Sequence, residues 1–388
     1  MKPSFKALLC CAAAFAVLSS MTPTAVAQNA VTVQPLPPDV DTQQRISRNL
    51  GIHPAGNAAA LQASVVGAAV PMAAYSVVAS DGNTYTGTLV GSSPFDGSGL
   101  STTVNTTIIP VVIPVSIPGF GPYVSDPTAP DQCLFNGWSD TTMVLNSPIF
   151  NFTDYVINGQ DVGSTQYIDS FQRASFWQLV GGTNYHVLLQ PSQVVAQTFA
   201  TFTQAFFDFN FCGGFNLFFE INEFDSWVRN VALPNAGVDP TQFPMLLFQN
   251  VVLYDTVIQN CCIGGYHNAL DGSFQTYSIS NLDTSSYFSF AESAALSHEV
   301  GEWAMDPLVN NATPSWGHIG QVGGCQNNLE VGDPLSGTQF PTVFMNGFFY
   351  NMQELAFFDW FFDTPSLGAG GVYSNNGSFT TPAVEPCT

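Results

Sequence analysis

The residues best equipped for chemistry lie close together: His298, Glu299 and Glu302, in the run Ser297-His-Glu-Val-Gly-Glu-Trp-Ala-Met-Asp306-Pro307. Helical spacing puts His298 and Glu302 one turn apart on one face, with Glu299 beside them. An imidazole and a carboxylate so placed can grip one cation, and a second carboxylate beside them can take a proton from an attacking water. The rest of the run is small or apolar, so the helix asks to be buried. Burying carboxylates costs several kcal/mol, on the order of one hydrogen bond or more each, unless donors or a cation compensate. A metal ion is the economical compensation. The competing reading is a helix with one solvated face carrying Glu292, Glu299 and Glu302. Glutamate is scarce: there are eight, none before Glu220, and three of them fall between residues 292 and 302.

Further candidate ligands lie on either side. Downstream, Glu330-Val-Gly-Asp333 offers two carboxylates, of which Glu330 is the first choice as third ligand and Asp333 the second. Asp306, two turns beyond His298 on about the same face, suits an acceptor that orients His298, or simply a helix end before Pro307. His267 and His318 are candidates for a ligand or an oxyanion donor, against the plainer role of loop histidines.

The segment Ser297 to Pro307 resembles the active-site helix of zincin-type metallopeptidases, with Glu302 where the second His of His-Glu-x-x-His stands. It is more closely similar to a group of secreted bacterial proteins with a His-Glu-x-x-Glu-x-x-x-Asp-Pro helix and a downstream Glu-x-Gly-Asp loop. There is a weaker likeness to plant exordium-type secreted proteins in Gly265-Tyr266-His267 and the Asp-Pro after the helix. The resemblance covers about residues 245 to 335. It implies a zincin-like fold and a metal-dependent hydrolase, with His298 and Glu302 as ligands and Glu299 as general base. It implies Zn²⁺ as the cofactor and a peptide or protein substrate. One imidazole with two carboxylates also moves the preference toward harder ions, so Ca²⁺ and Mn²⁺ stay open. A Glu ligand has a reference pKa about two units below His and stays deprotonated in acid where His would leave. Two other readings remain: a non-catalytic cell-surface binding protein with a structural or relic cation site, and a glycoside hydrolase using Glu299 and Glu330.

The elements that must position these residues are mostly strands. Residues 75–90 read as a hairpin turning at Asp81-Gly82-Asn83. Residues 102–117 are β-branched throughout, and Pro110 and Pro114 place this strand toward a sheet edge. Strand and loop follow over 147–161, a helix over 166–179 and a strand over 185–189. The Phe-dense segment 202–219 reads as core. A short helix is expected over 222–233, one strand over 245–254, another over 274–279, and the site helix from about 286 to 305, ended by Pro307. The aromatic run 348–362 closes the core as helix or strand. The fold class is α+β: a β-rich part over 71–240 packed on a zincin-like helix-and-sheet region over 241–388, in one globular domain.

The ends and the composition set the compartment. Met1-Lys2 through Ala27, with a short apolar stretch and Ala25-Val26-Ala27, reads as a secretory signal cleaved after Ala27. Residues 28–70 read as an exposed lead-in or pro-segment. The expected place is outside the cytoplasm or at the cell surface, with no membrane span. Six cysteines remain, Cys133, Cys212, Cys261, Cys262, Cys325 and Cys387, which suggests disulfides, the adjacent two bonding to different partners. The net charge is −22, and losing Lys2 and Lys6 leaves four arginines against 28 acids. Such a chain is no partner for nucleic acid. Its lack of lysine suits an acidic medium, where carboxylates protonate and lysines would repel one another.

Overall fold

The computed structural model describes residues 31–42, 69–134, 136–270, 272–288, 291–383 and 387. The expected signal peptide and residues 43–68 of the expected lead-in fall outside these. Strands outweigh helices, 41% of the residues against 19%, in a mixed α+β fold. The main sheet runs in the order Val31–Thr32, Ser101–Ile117, Gln242–Gln249, Thr276–Leu282, Gly265–Ala269. Its three central strands are parallel, and Gly265–Ala269 returns antiparallel to Thr276–Leu282. A second sheet follows the order Cys261–Ile263, Val251–Tyr254, Phe215–Glu220, Ala205–Phe209, Gln34–Pro35. The two sheets enclose a core of Ile109, Val111, Phe199, Phe219, Phe224, Leu246 and Ile279.

The long strand Ser101–Ile117 is the hub of the main sheet rather than its edge. Along its length it pairs with 186–194 and 242–247 first, then with 197–198, 121–125 and 31–32. Pro110 sits where the pairing with 186–194 has ended and that with 197–198 begins, so its missing N–H costs little there. The single strand expected over 245–254 is two strands in different sheets. Asn250, at φ 53°, turns the chain between them, a conformation Asn tolerates better than most residues. Within the lead-in, residues 31–35 add short edges to both sheets and bury Val33, while Thr32, Gln34 and Pro35 stay exposed.

The hairpin of Met72–Val78 with Thr84–Val90 stands as expected from the sequence, and the helix expected over 166–179 is two, Tyr167–Ser175 and Trp177–Val180, broken at Phe176. In the Phe-dense segment, Phe202, Phe206, Phe207, Phe218 and Phe219 are core, while Phe209 and Phe211 are exposed. The run 348–362 splits into a strand, Phe348–Gln353, and a short helix, Phe358–Phe362. Three disulfides join Cys133 to Cys212, Cys325 to Cys387, and the adjacent Cys261 and Cys262 to each other. The last pairing corrects the expectation of separate partners: the other four cysteines satisfy one another. Among the described residues no helix is long and apolar enough to cross a membrane.

A candidate metal centre under the sheet

The site helix spans Ala294–Met305, shorter at its start than the sequence suggested, and every one of its residues is buried. It packs on Thr276–Leu282 and Gly265–Ala269 on one side and on Phe348–Gln353 on another. Trp303 anchors it, stacking on Phe243 at 3.6 Å between ring centres and donating its indole N–H to Thr276 Oγ1 at 2.9 Å. The solvated-face reading therefore fails for Glu299 and Glu302, which are 0% and 1% exposed.

Two imidazoles meet three carboxylates beside this helix. His298 Nε2 lies 3.0 Å from Glu302 Oε1 and 3.5 Å from Asp333 Oδ1. His267, on strand Gly265–Ala269, points Nδ1 at Glu299 Oε2 and Glu302 Oε2, at 3.5 and 3.6 Å. The donors form two groups, His298–Glu302–Asp333 and His267–Glu299–Glu302, that share Glu302.

The outer contacts fix which ring nitrogen faces inward. Gln353 Nε2 donates to the Gly332 carbonyl at 2.7 Å, so its Oε1 is the atom that accepts from His298 Nδ1 at 2.9 Å. That leaves His298 Nε2 facing Glu302 and Asp333. On the other side His267 Nε2 donates to the Asp306 carbonyl at 3.1 Å, leaving Nδ1 directed at Glu299 and Glu302. A second contact that holds an imidazole in this way is a regular companion of metal ligation. The Gly332 N–H donates to Glu302 Oε1 at 3.1 Å, so one glycine backbone touches both Glu302 and Gln353. A Cβ at Gly332 would stand 2.5 Å from His298 Nδ1, and one at Gly265 would stand 2.8 Å from Glu299 Cγ. Both glycines let a backbone approach a site side chain.

The electrostatics mark the cluster as one unit. Burial pushes the imidazole of His298 down, but the carboxylates of Glu302, Asp333 and Glu299 override it and hold it well above its ordinary value. His267 is raised against burial in the same way by Glu299, Glu302 and Glu330. Burial also raises Glu299 and, with the charge of Glu302, Asp333 and Glu330. Glu302 alone is held well below the usual range, because His298 and His267 outweigh its burial.

The donor set fits a divalent cation. His298 Nε2, both oxygens of Glu299 and Glu302 Oε2 are buried and make no hydrogen bond. Four such orphans within one cluster are too many for a settled core, where buried polar groups are nearly always paired. Imidazole nitrogen and carboxylate oxygen are ordinary ligands of Zn²⁺ and Mn²⁺.

Each sequence candidate now has a place. His298, Glu302 and Asp333 converge, and Glu299 and His267 adjoin them. Glu330 is buried, with Oε1 accepting from Asn328 Nδ2 at 2.5 Å, and belongs to neither group. The Asp306 carboxylate accepts the N–H groups of Asn310 and Asn311 at the helix end, and only its carbonyl reaches a site histidine, His267 rather than His298. His318 is exposed on the hairpin of Ala312–Ile319 and Val322–Asn328, beside Cys325, and takes no part in the cluster. Cys325 and Cys387, which stand near His318, are bonded to each other and offer no thiolate. Gln353 is the residue that sequence reading missed, since an amide in an aromatic strand carries no ligand signal of its own. No protein family, curated protein or solved structure matches this chain.

Proposed function

We propose that this chain is a metal-dependent hydrolase of the peptidase type, with its centre at His298, Glu302 and Asp333. The observation that carries the reading is Glu299, a fully buried carboxylate with both oxygens unpartnered beside two imidazoles whose outer nitrogens are taken by Gln353 and the Asp306 carbonyl, so that their other nitrogens face the cluster. A cation held there supplies Lewis acidity toward a substrate carbonyl. Glu299 takes the proton of the attacking water and returns it to the leaving amine, a task its burial-raised pKa suits. Gln353 and the Asp306 carbonyl hold the two imidazoles in the ligating tautomer. Asp333 stands in for the downstream ligand, positioned by Gln321 and Gln326, which donate to its two oxygens. A two-carboxylate glycosidase leaves this double imidazole arrangement without a task.

The near-complete burial of the cluster favours a second reading, a closed structural cation site in a non-catalytic protein. Hydrolysis of a labelled, denatured protein by the purified full chain, assayed from pH 4 to 7 with added Zn²⁺ or Mn²⁺, separates the two. The hydrolase reading expects turnover that Glu299→Gln lowers by about 100-fold or more while the ion at His298 stays bound. Metal without turnover in both proteins is the outcome of the structural reading.

A further inference from the structure

We propose that the cluster binds two divalent cations, bridged by Glu302. One ion takes His298 Nε2, Asp333 Oδ1 and Glu302 Oε1; the other takes His267 Nδ1, Glu299 Oε2 and Glu302 Oε2. This rests on the reading of the cluster as a metal centre and adds the second ion to it.

The spacing of the donors carries the argument. Ligands at 2.0–2.1 Å from a tetrahedral ion lie about 3.3–3.4 Å from one another. The separations, 3.0 and 3.5 Å around His298 and 3.5 and 3.6 Å around His267, lie within about 0.4 Å of that value. The three longer ones exceed a good hydrogen-bond length. The two imidazoles fall in separate groups, so the donors gather about two points rather than one. The two points meet at a single residue, and each takes a different oxygen of it. A carboxylate offering one oxygen to each side suits the separation of about 3.5–4 Å typical of paired metal ions.

The outer contacts point the same way. His267, like His298, is held from outside, by the Asp306 carbonyl, so that its other ring nitrogen faces two carboxylates. Charge permits it: Glu299, Glu302 and Asp333 carry three negative charges, so one divalent ion leaves the cluster at −1 and a second at +1. In this arrangement Glu299 keeps Oε1 for proton transfer and gives Oε2 to the second ion.

The test is a metal count that needs no activity. The full chain is stripped with chelator, dialysed against Zn²⁺ or Mn²⁺, and analysed by plasma mass spectrometry, with electron paramagnetic resonance on the Mn²⁺ form. Two ions per chain and a spin-coupled Mn²⁺ pair are expected. His267→Gln should drop the count to one and replace the coupled spectrum with that of an isolated ion. One ion per chain in the unaltered protein, unchanged by His267→Gln, overturns the bridge and leaves the single-ion hydrolase standing. No bound ion overturns both. If His267→Gln does not fold, the count on the unaltered chain still decides.

Discussion

Lowering the pH from 7 to 4 should make this protein more stable, against the usual course of acid denaturation. Asp283 and Asp359 are 2% and 3% exposed, and burial pushes both up to about 6 despite the N–H and hydroxyl groups that donate to them. In the unfolded chain each returns to its ordinary value of 3.8. A carboxyl whose folded value is the higher one binds its proton more tightly in the fold. Its contribution is therefore full below pH 3.8 and is lost as pH rises through 6. At 1.36 kcal/mol per unit, the gap is worth about 3 kcal/mol for each aspartate. Asp140 and Glu292 are raised by burial in the same direction. Glu302 opposes them, but its contribution begins to fade only as pH falls below 4.5, the ordinary value for Glu. The assay is urea unfolding at pH 4, 5, 6 and 7 at one ionic strength, with chelator present so that cation binding adds no pH dependence of its own. Asp359→Asn should shrink the gain between pH 7 and pH 4 by about 2.4 kcal/mol, the unfolded aspartate being itself partly protonated at pH 4. A stability that declines steadily from pH 7 to pH 4, or an Asn variant with the unaltered profile, would refute the reasoning.

Two substitutions probe the frame of the centre. Gly332→Ala puts a methyl group 2.5 Å from His298 Nδ1 and should cost about 1–3 kcal/mol from overpacking, read by thermal unfolding, together with weaker cation binding by calorimetry. Gln353→Leu leaves the His298 Nδ1–H buried without its acceptor. It should lower cation affinity by about 10–100-fold while the chain stays folded by circular dichroism.

How much of this was legible in the sequence depended on how local the cause was. The hairpin at Asp81-Gly82, the helix after Gln166 and the grouping of His298 with Glu302 follow from spacing within a few residues. The split at Asn250 and the central place of the Pro-containing strand do not, because sheet neighbours are chosen across the chain. His267 enters the cluster only because Gly265–Ala269 lies beside Thr276–Leu282 under the site helix. Gln353 enters because the strand Phe348–Gln353 ends beside Ser297, whose hydroxyl accepts the Gln353 N–H at 2.9 Å. The preference for Glu330 over Asp333 as third ligand came from type alone. In the fold a one-turn helix, Asp333–Leu335, carries Asp333 to His298, and Asn328 takes up Glu330.

The strand Ser101–Ile117 also sets the order in which this molecule can come together. Most of its parallel pairing comes late: Asn105 meets Gln242, and the strand next to that one ends at Leu282. The sheet cannot close until most of the chain is available, so local helix formation gives little head start. Folding governed by such distant pairings is slow, and it leaves the β-branched stretch from Thr102 to Ile117 open to pairing with other chains in the meantime. The dense negative charge of the chain, which keeps copies apart, protects it during that interval.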